Sequence, residues 1–105
     1  MSSPTQRSLK VLRDEGYHVE IVEHWSPWAK RRNDMFGFVD LLAVHKETGD
    51  VLAVQTTSGS NMSARVKKIT EHENLPIVRK AGWTIHVHGW SRLKNGWTLR
   101  VEDLS

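Results

Sequence analysis

Residues 34–57, reading DMFGFVDLLAVHKETGDVLAVQTT, constrain this chain more than any other stretch. Two apolar runs, Phe38 to Val44 and Val51 to Thr57, flank Lys46-Glu47-Thr48-Gly49-Asp50, a turn-forming segment. Continuous apolar runs bounded by glycine and charge predict two adjacent strands covered on both faces. A single acid, Asp40, interrupts the first run, and the second turns polar only at Gln55-Thr56-Thr57. Burying a bare carboxylate is costly, so Asp40 requires a partner: a metal or substrate, a cap of backbone amides, or an arginine such as Arg31.

The rest of the chain supplies layers for that hairpin. Ser3-Pro4-Thr5-Gln6 is a helix start, with Ser as N-cap and Pro at the first helical position, and Leu9 and Leu12 form a stripe that ends at Gly16. Tyr17 to Trp25 alternates as a half-buried strand would, with Tyr17, Val19, Ile21 and Glu23 on one face. Ser26 to Asn33 reads as a loop carrying Lys30, Arg31 and Arg32, the most basic place in the sequence. Ser58 to Asn61 caps a helix from Met62 to about Glu73 with Arg65, Lys67 and Lys68 in its first half, and a shorter helix ends near Ala81. Strands Trp83 to Trp90 and Trp97 to Glu102 meet at Asn95-Gly96, a hairpin signal. The expected order is α-β-β-β-α-β-β, in one α/β domain with a mixed central sheet flanked by helices.

That order, with an acid on the second strand, a polar triplet closing the third and a basic helix after it, resembles the PD-(D/E)XK nuclease superfamily, which includes Holliday-junction resolvases and many restriction enzymes. Val39-Asp40 stands at the PD position and Gln55-Thr56-Thr57 at (D/E)XK. The run FGFVDLLA, VQTTSGSN and AGWTIHVHGW is also similar to a group of small phage-type proteins. The resemblance implies a restriction-endonuclease-like core and a metal-dependent DNA endonuclease holding Mg²⁺ or Mn²⁺ weakly. Its site residues would be Asp40, Gln55, Thr57 and Asp34 for catalysis, and Asp40, Gln55, Thr56 and Asp34 for the metal. Gln55 keeps a ligating carbonyl but removes a negative charge, and Thr57 supplies no cation. The first helix offers Gln6 and Arg7 where relatives often place an acid, so Asp34, in the loop before Asp40, is the replacement carboxylate.

Fifteen Lys and Arg against twelve Asp and Glu, with a pI near 9.5, permit a nucleic-acid partner without demanding one. Lys30, Arg31, Arg32, Arg65, Lys67 and Lys68 are the expected DNA contacts, with Trp25 and Trp28 placed to stack on bases; Trp83 and Trp97 read as core or cross-strand partners. Junction resolution would require a homodimer, since two symmetric cuts need two sites. His86 and His88 share a strand face at a spacing compatible with zinc, but satisfied strand histidines are the commoner outcome. The absence of cysteine excludes disulfides and thiolate zinc sites, and with no apolar membrane-length run the expectation is a protein of the bacterial host cytoplasm, phage- or bacterium-encoded, without a membrane partner. An inactive nuclease-fold protein binding DNA or protein, and an assembly protein with no nucleic acid, remain open alternatives.

Overall fold

A computed structural model describes residues 3–105, with Arg32 described by its backbone alone. Helix α1 (Pro4–Asp14) starts where the capping residues require: Ser3 is extended and its Oγ accepts from Gln6 N at 3.2 Å, an interaction of about 1 kcal/mol. Its Ser8, Leu9 and Leu12 are buried, and Gly16, at φ +98, makes the left-handed turn into β1 (Tyr17–Ile21). Two short strands, β2 (His24–Ser26) and β3 (Arg31–Asn33), form a separate antiparallel ribbon. Then follow β4 (Leu41–His45), β5 (Val51–Ser58), a 3-10 turn at Gly59–Asn61, α2 (Met62–Thr70), α3 (Leu75–Lys80), β6 (Thr84–Leu93) and β7 (Gly96–Asp103).

The main sheet has the order β1-β4-β5-β6-β7. Only β5 and β6 pair in parallel; the other neighbours are antiparallel. A parallel pair needs a crossover, and α2 and α3 provide it. Alternation along the strands divides the core between two faces. Leu41, Ala43, Leu52 and Val54 pack with Leu9 and Leu12 of α1. Ala53, Ile85 and Val87 pack with Met62, Ile69, Leu75 and Val78 of the crossover helices. The fold is therefore α/β, with helices on both faces of a mixed five-stranded sheet, as the hydrophobic pattern predicts.

Two local expectations are corrected and a third is narrowed. The strand expected to run from Tyr17 to Trp25 leaves the main sheet after Ile21 and resumes at His24 as one arm of the ribbon, whose other arm lies in the expected loop. Regular strand geometry begins at Leu41 rather than Phe38, because Met35 to Phe38 form a tight turn with Phe36 and Gly37 both at positive φ. Asp40 thus stands one residue ahead of β4, yet its amide donates to Val54 O at 2.9 Å and its carbonyl accepts from Val22 N at 2.8 Å. Of the two roles expected of Trp97 the structure has the cross-strand one: on β7 it lies opposite Arg92 of β6, 44% exposed, with the Arg7 guanidinium stacked 3.7 Å from its ring centroid. Trp83 is half-buried at the core margin, as expected.

A buried polar chain ties α1 to β6: Trp90 Nε1 donates to Ser8 Oγ at 2.8 Å, and Ser8 Oγ lies 2.8 Å from His88 Nδ1. His88 is 2% exposed, and burial followed by the neighbouring His86 pushes its pKa down from 6.5 to about 4. The unfolded chain then binds more protons than the native protein between pH 6.5 and 4, so stability falls as pH drops through that window. Asp34, raised from 3.8 to about 6, contributes the opposite slope, damped by its partial exposure. Asp40, also raised by burial, adds to that opposite slope, so the His88 contribution, up to about 3 kcal/mol between pH 7 and pH 4, is isolated by comparison with a variant that cannot titrate there. Urea midpoints of the wild type and His88→Gln across that range check it: the wild type is expected to lose more stability on acidification than the variant, and parallel profiles would contradict it.

Candidate metal centre

Where β4 and β5 leave their shared ladder, Asp40 and Gln55 converge rather than pointing to opposite faces. Gln55 Nε2 donates to Asp40 Oδ2, as do Thr56 N at 2.8 Å and Thr56 Oγ1 at 3.2 Å. Thr56 Oγ1 is also 2.8 Å from Thr5 Oγ1, so the start of α1 reaches the same spot with a hydroxyl instead of an acid. Three donors on one oxygen fix the carboxylate's orientation, and none of them engages Oδ1. Gln55 and Thr56, expected as metal ligands, are here the residues that orient Asp40.

Two further acids close on Asp40 from the base of the ribbon. Glu23 precedes β2 and Asp34 follows β3, and each of Glu23, Asp34 and Asp40 offers an oxygen within 4.8 Å of the others. They line a pocket of about 320 Å³ whose rim carries Arg65 and Lys68 from α2. Burial, then repulsion from Asp40 and a shared hydrogen bond with it, raises the Asp34 pKa to about 6, against the pull of Arg65 and Lys68. Burial also raises the Asp40 pKa, reinforced by the charge of Glu23 and opposed by the Thr56 amide. A cluster that holds carboxylates above their ordinary pKa is short of positive charge. An all-oxygen donor set suits hard divalent cations such as Mg²⁺ or Mn²⁺. Ligand oxygens around one octahedral Mg²⁺ lie about 3–4 Å apart, so the cluster would need little closure to fit one.

The other expected site residues divide clearly. Thr57 is buried but does not line the pocket. Lys67 is exposed and turned from it, whereas Arg65 and Lys68, three apart, share one helix face. Lys30 and Arg31 are exposed on the ribbon, and Arg31 lines an adjoining groove with Asn33, Asp34, Gly37, Lys68 and His72. The side chain of Arg32 lies outside the described residues. His86 pairs with Asp103 at 3.7 Å, and among the described residues no third ligating group joins His86 and His88. Sequence reasoning missed Glu23 as a site residue: strand alternation groups it with Val19 and Ile21. The signal that finds it is the β1–β4 register, since Ile21 opposite Leu41 sets Val22 beside Asp40 and Glu23 next along.

No protein-family model matches the chain, and neither does any curated protein or solved structure. No described helix is long and apolar enough to cross a membrane.

Proposed function

We propose that this protein is a metal-dependent nuclease of the PD-(D/E)XK type, cleaving phosphodiester bonds in DNA. The observation that carries the reading is the convergence of Glu23, Asp34 and Asp40 in one pocket rimmed by Arg65 and Lys68. The strand order, with one helix before the hairpin and the crossover helices after it, supports a restriction-endonuclease-like core. Both departures in the signature triplet are offset from elsewhere in the fold. Glu23 restores the negative charge that Gln55 lacks, and Lys68 brings to the pocket the cation that Thr57 lacks. This favours an active enzyme over an inactive relative.

A bound divalent cation in such a site lowers the pKa of a water and stabilises the leaving oxygen. The chain's own residues hold the reaction in place. Gln55 and Thr56 keep Asp40 in a single orientation. Arg65 and Lys68 provide charge for the scissile phosphate, as positioning and electrostatic stabilisation of phosphoryl transfer require. Junction resolution would add the need for a second site in a homodimer. The test is incubation of purified protein with branched, single-stranded and duplex DNA in Mg²⁺ or Mn²⁺. Cleavage that stops on chelation is expected.

A further inference from the structure

The ribbon formed by β2 and β3 buries almost nothing and displays what a core would hide. Trp28 is 96% exposed and Trp25 61% exposed. Between Glu23 and Asp34 the chain reads HWSPWAKRRN, with three cations and no acid. Exposed tryptophan costs free energy in water, and two on one short ribbon beside Lys30 and Arg31 suit a ligand that presents flat apolar faces and negative charge together. Unpaired nucleotides have that chemistry: bases stack on aromatic rings while cations track the phosphates. Paired bases are already stacked on one another and offer such a ribbon only the backbone.

The ribbon's position gives the match a purpose. Its two stems are Glu23 and Asp34, two of the three acids of the candidate metal centre. Trp28 is five residues from Glu23, at most about 17 Å along an extended strand. Arg31 and Asp34 share the groove that runs beside the pocket to Lys68. A strand gripped by the ribbon is therefore delivered along a basic groove to the acids.

We infer that the β2–β3 ribbon is a stacking grip for unpaired nucleotides, which directs the enzyme to single-stranded or branched DNA next to the scissile phosphate. This rests on the nuclease reading and narrows its substrate class. A second copy of the chain is the competing occupant of the exposed tryptophans, and self-association separates the two.

The experiment measures binding in EDTA, where cleavage is silent, of the wild type, Trp28→Ala and Trp25→Ala/Trp28→Ala to a labelled single strand, a blunt duplex of the same sequence, and that duplex with a single-stranded tail. Because the side chains are exposed, the variants keep the wild-type melting temperature. Affinity for the single strand and the tailed duplex falls about tenfold or more in the double variant. Affinity for the blunt duplex changes by less than about twofold, and the salt slope is unchanged because no charge is removed. Trp28→Phe retains most of the single-strand affinity. Wild-type affinities in variants of a protein that otherwise binds and cuts DNA would overturn the inference and leave the nuclease reading standing. A dimer that dissociates on removal of Trp28, with DNA affinity unaltered, would overturn it in favour of a self-association face. Absence of all DNA binding and cutting by the wild type at low salt would overturn both.

Discussion

Asp40→Asn is expected to reduce metal-dependent cleavage by about a thousandfold or more, a loss of several kcal/mol of transition-state stabilisation, while the protein stays folded. The retained fold follows from the local geometry. The Asn carbonyl, placed where Oδ2 lies, can accept from the Thr56 amide and from Gln55 Nε2 as the carboxylate does, and the new NH₂ group takes the Oδ1 position that these donors leave untouched. Removing a charge that burial and Glu23 already disfavour leaves stability equal or higher. Cleavage is lost because Asp40 is the acid that Gln55 and Thr56 hold in orientation at the centre of the cluster, and without it Glu23 and Asp34 alone face a divalent ion. Binding of DNA persists or strengthens, since one charge that repels phosphate is gone. Parallel measurement of melting temperature, DNA affinity and cleavage rate checks all three parts, and cleavage at the wild-type rate would place the activity elsewhere.

Replacing Arg65 and Lys68 together with Ala should weaken binding about tenfold or more at moderate salt, across all DNA sequences, and reduce the salt slope by nearly two units. The two side chains lie on one face of α2 and both reach the pocket rim, so each is placed to neutralise one phosphate. Lys67→Ala, on the same helix but away from the pocket, is the control, with a smaller effect. The double variant also has a second signature. Arg65 and Lys68 both lower the Asp34 pKa, so their loss raises it further and shifts the acidic limb of the cleavage profile to higher pH. Loss of activity through misfolding would not displace the pH profile of what remains. A salt slope equal to that of the wild type would remove these residues from the DNA interface.

The succession of the main-sheet strands along the chain is legible because each of the central strands carries an apolar run ended by glycine or charge, and because Asn95-Gly96 marks the last hairpin. The pairing of Asp40 with Gln55 is legible for the same reason, since adjacent strands joined by a short turn have a restricted register. The ribbon is not legible: its strands are three residues long, paired through the backbone, and His24 and Trp25 of β2 are both exposed, so no side-chain period marks that arm. Glu23 is obscured with it, because its position depends on the chain leaving β1 after Ile21. Lys68 is partly legible, since helical spacing pairs it with Arg65 and separates it from Lys67, but only the packing of α2 tells which face meets the pocket. Thr57 is misplaced by resemblance alone: the superfamily motif assigns that position a cation's role, and here it is a buried threonine outside the pocket.

Glu23 offers the most direct test of the central claim, because the proposed activity depends on it to supply the charge that Gln55 does not. The measurement is the Mn²⁺-dependent cleavage rate on branched and single-stranded DNA for the wild type and Glu23→Gln, with DNA affinity followed in the same samples. The wild type is expected to cut and to stop on chelation, and Glu23→Gln to bind normally while cutting about a hundredfold more slowly or worse. A wild type that binds DNA with an ordinary salt slope yet cuts with no divalent ion, or a Glu23→Gln variant that cuts at the full rate, would contradict the account.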